Sequence, residues 1–169
     1  MTEQPIRLVL IDDHGLCRRG LSELLEARAG MKVLGNTGNA DEAVRLLREE
    51  RPDLAIMDLR MQPVDGHRLL TRIRAEGIDT PVVVLTMSDS QDDLSRAFRA
   101  GVRGYLLKDM DPDDVIDAIR RALDRPRVQH PVRLRREAGE VPKRRRRALL
   151  VGLDREAEAG PLGEARRPA

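Results

Sequence analysis

Pro81-Val82-Val83-Val84-Leu85-Thr86 is a short, mostly β-branched apolar run, opened by a proline and closed by a hydroxyl. It is short for a helix and its interior is apolar at every position, so it reads as a strand buried on both faces. Strands of that kind belong to parallel sheets sandwiched between helices, whereas half-exposed antiparallel strands alternate apolar with polar residues. Four further runs are read as strands, mostly apolar but for Arg7 and Lys32: Ile6-Arg7-Leu8-Val9-Leu10-Ile11, residues 31–35, Leu54-Ala55-Ile56-Met57 and Gly104-Tyr105-Leu106-Leu107. Helical patterns lie between them. Leu16, Leu21, Leu24 and Leu25 precede a stop at Gly30, and Ala43, Val44 and Leu47 follow a cap at Asn39 or Asp41. Leu69, Leu70 and Ile73 fall in 66–76, 91–100 is closed by Gly101, and Val115, Ile116, Ile119 and Leu123 follow Pro112. Five β–α units predict an α/β fold, a doubly wound five-stranded parallel sheet with right-handed crossovers.

The rest of the chain has a different character. Its net charge of +2 averages a segment 1–123 at −4 and a segment 124–169 at +6. Leu, Ile, Val and Phe supply 35 of the first 123 residues but only 9 of the last 46, where 12 Arg, five Pro and four Gly gather. Burial there falls short of offsetting the entropy of ordering, so the boundary is set at 123/124 and the remainder reads as a disordered basic tail. One cysteine, Cys17, excludes a disulfide framework, and its place beside the Leu21/Leu24/Leu25 stripe predicts a packed thiol. The N-terminus carries Glu3 and no basic leader, and no apolar run approaches a membrane span, so the expectation is a soluble cytoplasmic protein without a membrane partner. One Phe, one Tyr and no Trp leave no stacking platform for single-stranded nucleic acid.

Function is read at the strand ends, because ligands of open parallel sheets bind outside the carboxyl edge. Four predicted strands run into Asp12-Asp13, Asp58, Thr86 and Lys108. Each has an ordinary reading taken alone: a helix cap, a turn residue, a strand-end hydroxyl, a solvated cation. Their joint arrival on one edge decides for a site. Three converging carboxylates need a cation, and an all-oxygen set favours a hard divalent ion, Mg²⁺. Metal, lysine, hydroxyl and a free carboxylate together suit phosphoryl transfer, with a carboxylate as nucleophile. His14, His67 and His130 show no metal-ligand spacing.

Four blocks in order carry a resemblance over residues 5–123: Leu10-Ile11-Asp12-Asp13-His14, Pro52-Asp53-Leu54-Ala55-Ile56-Met57-Asp58-Leu59-Arg60-Met61, Val84-Leu85-Thr86-Met87-Ser88 and Gly104-Tyr105-Leu106-Leu107-Lys108-Asp109. The chain resembles the receiver domain of two-component response regulators of the NarL/FixJ type, whose fold is flavodoxin-like. The resemblance implies Asp58 as phosphoacceptor, taking a phosphoryl group from a sensor histidine kinase. It implies Mg²⁺ held by Asp12, Asp13, Asp58 and the backbone carbonyl of Arg60. Lys108 and Thr86 would contact the phosphoryl group, and Thr86 with Tyr105 would form the switch that remodels the face of the fourth helix, fifth strand and fifth helix, through which a homodimer would form. Such a protein is no enzyme beyond self-phosphorylation and slow self-dephosphorylation. Three features depart from the pattern: Gln62 separates Met61 from Pro63, Met87 follows Thr86, and Lys108 precedes Asp109, so no cis-proline is expected at that bond.

Two other readings compete. A Mg²⁺-dependent phosphohydrolase with Asp58 as nucleophile would want a second carboxylate two residues on, where Arg60 stands. A receiver-like binding module that is never phosphorylated is the other. Regulators of this type carry a DNA-binding helix-turn-helix after the receiver, and none is recognisable in 124–169, whose one concentrated apolar run is Ala148-Leu149-Leu150-Val151-Gly152-Leu153. Lys143 and seven Arg in 132–147 would touch DNA only weakly, through phosphates.

Overall fold

The computed structural model describes residues 4–124 and the backbone of 148–150. Five β–α units follow one another: β1 (Arg7–Ile11), α1 (Gly15–Ala29), β2 (Lys32–Thr37), α2 (Ala40–Glu50), β3 (Leu54–Met57), α3 (Gly66–Ala75), β4 (Val82–Thr86), α4 (Gln91–Arg99), β5 (Gly104–Leu107) and α5 (Pro112–Leu123). Their strands pair in parallel in the order β2-β1-β3-β4-β5. This is the doubly wound α/β sheet that the apolar strands predict.

Successive strand residues point to opposite faces, and both faces are covered. Val9, Ile11, Ala55, Met57, Val82 and Val84 pack with Val44, Leu47, Leu69 and Ile73 on one side. Leu8, Leu10, Leu54, Ile56, Val83 and Leu85 pack with Leu25, Ile116 and Ile119 on the other. A polar residue inside either strand set would be buried without a partner, which is why these strands show no alternation.

Helix starts follow local capping chemistry. The side chains of Asn39, Asp65, Ser90 and Asp111 each accept a backbone N–H from the first turn of their helices, and Pro112 opens α5 where no donor is needed. Asn39, rather than Asp41, caps α2. Gly101, at φ +82, turns the chain out of α4 in a conformation that a side chain would strain.

Several expectations need correction. β2 runs two residues past the anticipated 31–35, because Asn36 and Thr37 stay paired with Leu10 and Ile11. Leu16 is 87% exposed rather than part of the α1 stripe. At 3.6 residues per turn it lies about 180° around the helix from Leu25, the fully buried residue of α1. Cys17 is exposed as well, not packed. It lies about 80° from Leu25 in the first turn, away from the centre of the stripe. Helix ends read at Glu76 and Ala100 are the capping residues instead.

A sixth strand, β6 (Ala148–Leu150), pairs antiparallel with β5 and extends the sheet beyond the five parallel strands expected. It comes from within the segment read as tail. An uncovered edge strand offers a row of unpaired backbone groups, and a short apolar run satisfies them. Otherwise the segment beyond Asp124, with its disordered-tail and DNA-contact readings, lies outside the described residues. Among the described residues no helix is long and apolar enough to cross a membrane.

Candidate functional site

The order β2-β1-β3 places the topological switch between β1 and β3, where the crossovers diverge to opposite faces and leave a crevice at the carboxyl edge. Asp12 and Asp13 follow β1, Asp58 follows β3, Thr86 ends β4 and Lys108 follows β5. The fold therefore brings together the four strand-end groups that the sequence singles out.

Lys108 joins them. Its Nζ donates to Asp12 Oδ2 at 2.6 Å and to Asp58 Oδ2 at 2.8 Å. Burial alone would pull the ammonium pKa down, but the bonds to the two carboxylates outweigh it and hold Lys108 above its ordinary value. The remaining carboxylate oxygens are held mostly by backbone. Asp12 Oδ1 accepts from the His14 N–H at 2.8 Å, and Asp58 Oδ1 from the Arg60 N–H at 3.0 Å. Asp13 Oδ2 accepts from the Gln62 N–H at 3.0 Å. The first of these bonds matters for the capping reading of Asp12 and Asp13, because His14 is the N-cap residue of α1 and makes no side-chain cap.

Asp13 Oδ1 is buried and has no hydrogen-bond partner. His14 Nδ1 stands 3.1 Å away without the alignment to donate to it. An orphaned buried carboxylate oxygen is costly unless something outside the chain satisfies it. Asp12, Asp13, His14 and Asp58 each offer a ligand atom, and these atoms all lie within 4.8 Å of one another. Carboxylate oxygens dominate this set, so its chemistry fits a hard divalent cation. His14 is the one nitrogen donor at the rim.

Gly66 fixes how closely α3 approaches the site. A Cβ there would sit 2.4 Å from the Asp58 carbonyl oxygen and 2.6 Å from Leu59 Cα. Its N–H donates to the Leu59 carbonyl at 2.9 Å. Thr86 is fully buried, and its Oγ1 accepts from the Ser88 N–H at 3.3 Å. Tyr105 is buried one strand over, and its hydroxyl donates to the Ser88 carbonyl at 2.8 Å. Burial is the largest influence on the Tyr105 phenol and raises its pKa.

The structure adds residues that sequence reasoning missed. Asp93, in the first turn of α4, is only 6% exposed. Its Oδ2 accepts from an Arg60 guanidinium N–H at 2.6 Å and from the Ser88 hydroxyl, and its Oδ1 is 3.0 Å from His67 Nε2. Burial pushes its carboxyl up, but Ser88, His67 and Arg60 together hold it below the ordinary range. Arg18 donates to the Asp12 carbonyl and to Asn36 Oδ1, tying α1 to the end of β1. The acidic first turn of α4 was visible in the sequence. Two of its partners, His67 and Arg60, are 26 and 33 residues away, and no local pattern announces them.

Comparison with known proteins agrees with this geometry. The family model for the response regulator receiver domain matches residues 8–120. A nitrate/nitrite response regulator homolog of Haemophilus influenzae is 36% identical over 119 residues, 70% of this chain and 57% of that protein. The transcriptional regulatory protein LiaR of Bacillus subtilis is 37% identical over 153 residues, 90% of this chain and 70% of LiaR. The crystal structure of a LuxR-family two-component response regulator from Aurantimonas sp. SI85-9A1 superposes with a TM-score of 0.67 at 34% identity, covering 71% of this chain and 86% of that one. The chain spans little more than half the length of the nitrate/nitrite regulator homolog it matches. On the match across residues 8–120 and the sheet edge described, the chain belongs to the receiver domains of NarL/LuxR-type two-component response regulators.

Proposed function

We propose that Asp58 is the phosphoacceptor of this receiver, taking a phosphoryl group from the phosphohistidine of a sensor kinase. The observation that carries the reading is Lys108 bridging Asp12 and Asp58 beside the orphaned Asp13 oxygen. The cluster holds three carboxylates against one ammonium. The excess negative charge is what a divalent metal would offset, making room for an incoming phosphoryl group beside Lys108.

In this reading Asp58 Oδ attacks phosphorus. The new O–P bond forms as the bond to the donor breaks, and the donor leaves with the electron pair. Mg²⁺, held by Asp12, Asp13, Asp58 and the Arg60 carbonyl, would supply positive charge opposite the equatorial oxygens. Lys108 exchanges its bond to Asp58 for one to the phosphoryl group. The Thr86 hydroxyl now accepts from Ser88, and it turns to donate to the new oxygens. Ser88 is thereby loosened, and with it the carbonyl that holds Tyr105. One added dianionic group thus biases a two-state arrangement at the ends of β4 and β5.

The phosphohydrolase reading fares worse. Arg60 occupies the position two residues after Asp58, and its guanidinium points to Asp93, so no carboxylate stands there as acid or base. Homodimerisation through α4, β5 and α5, and control of transcription through a DNA-binding partner domain, complete the proposal for the whole regulator.

Incubating the full chain with Mg²⁺ and acetyl phosphate, followed by intact mass, tests the reading. The expected result is a gain of one phosphoryl group that Asp58→Asn abolishes. An adduct that persists in Asp58→Asn, or none in the wild type, would overturn it.

A further inference from the structure

We propose that Asp93 is a positioning residue that ties helix α4 to the acceptor loop through Arg60 and sets how long the phosphoryl group survives. The inference rests on the reading of Asp58 as acceptor. A carboxylate in the first turn of a helix gains from the helix dipole while exposed to water, so nothing about capping asks for its burial. Asp93 is buried nonetheless, which is unfavourable unless both oxygens are satisfied by donors.

The donors come from three separate elements. Arg60 lies two residues beyond Asp58, His67 is on α3, and Ser88 is in the loop between β4 and α4. The Arg60 side chain is 64% exposed overall, so it is charge rather than packing that brings its guanidinium to Asp93. Its own N–H donates to Asp58 Oδ1. Ser88 in turn donates its N–H to Thr86 and offers its carbonyl to Tyr105. The Arg60 guanidinium also reaches the Ser88 hydroxyl at 3.3 Å, and Asp93, which accepts from both, is the charged group that holds Arg60, Ser88 and the first turn of α4 together.

A phosphoryl group on Asp58 is a second anion within reach of the loop that carries Arg60. Asp93 and that group then compete for one guanidinium. Paired with Asp93, Arg60 is withheld from the phosphoryl oxygens. Released, it stabilises them and frees Ser88 and the N-terminus of α4 together.

A double-mutant cycle on the full chain tests this. Asp93→Asn keeps the shape and removes the charge that holds Arg60, so the phosphoryl group on Asp58 should last about fivefold longer. In the Arg60→Met background the same change should have no effect on lifetime. A merely structural Asp93 would lower the melting temperature and change lifetime equally in both backgrounds, or not at all, and that result overturns the proposal. Arg60→Met alone gives a second measurement that needs neither phosphorylation nor a folded Asp93 variant. Backbone amide signals of Ser88 and of residues 91–99 should shift relative to wild type. Signals that stay in place overturn the tie to α4, whereas a wild type that takes no phosphoryl group counts against the acceptor reading instead.

Discussion

The Lys108 ammonium lies 2.8 Å from Asp58 Oδ2, and the same nitrogen reaches Asp12 Oδ2 at 2.6 Å. This lysine is the ammonium that offsets part of the negative charge of Asp12 and Asp58 at the edge of the sheet. Lys108→Met should therefore destabilise the metal-free fold. Breaking a fully buried pair costs about 3–5 kcal/mol, and because Lys108 keeps 13% side-chain exposure the expected loss is smaller, about 2 kcal/mol. Added Mg²⁺ should recover part of it, since a ligand of the folded state alone stabilises by mass action. Urea denaturation with and without Mg²⁺ measures both, and a variant as stable as wild type in the absence of metal would contradict the account.

Gly66→Ala should damage the site from the helix side. The added methyl would meet backbone, the Asp58 carbonyl oxygen at 2.4 Å and Leu59 Cα at 2.6 Å, and backbone cannot swing aside as a side-chain tip can. Overpacking of this kind costs about 1–3 kcal/mol. Displacement of residues 58–59 should also slow phosphorylation from acetyl phosphate. A variant with unchanged stability and unchanged uptake would show that α3 can retreat without disturbing Asp58.

How legible the site was depends on the distance over which its signals act. Val82, Val83, Val84 and Leu85 declare a doubly covered parallel strand by composition alone, and the strand-end residues Asp12, Asp58, Thr86 and Lys108 follow from where such strands stop. Asp93 and Arg60 are the opposite case. The sequence points to Arg60 only through its backbone carbonyl and to Asp93 not at all, and only the packing of α4 against the acceptor loop makes their side chains partners. Leu16 has the residue type of the stripe but not its angle around α1, and Cys17 is near the stripe in sequence without being near the core. β6 was hidden for another reason: whether Ala148–Leu150 forms a strand depends on a free β5 edge more than forty residues earlier.

Tyr105 provides a built-in titration probe, since it is the only tyrosine and the chain has no tryptophan. Burial raises its pKa above the ordinary value of 10.0. The sign follows directly. The neutral phenol is favoured in the folded state, so its contribution to stability is fully present below the unfolded pKa and is lost as pH rises through the folded one. Absorbance of the phenolate should therefore appear above pH 10 in the native protein and near 10 in urea. Lys108, also raised, loses its contribution on the same alkaline side, so comparison with Tyr105→Phe isolates the phenol. A native midpoint at or below the urea value would mean that Tyr105 is not buried as described.

Cys17 separates two views of α1. A thiol packed beneath the Leu21/Leu24/Leu25 stripe would be shielded, and labelling it would require the protein to unfold. The exposed Cys17 needs no opening. Under native conditions Ellman's reagent should modify one thiol per chain, at a rate close to that in urea, because the reactive thiolate is as accessible in the folded state as in the unfolded one. The melting temperature should stay within about 1–2 °C of the unmodified protein, as expected for a surface change away from the core. Labelling that waits for denaturant, or a large fall in stability on modification, would return Cys17 to the core and rotate α1 relative to the sheet.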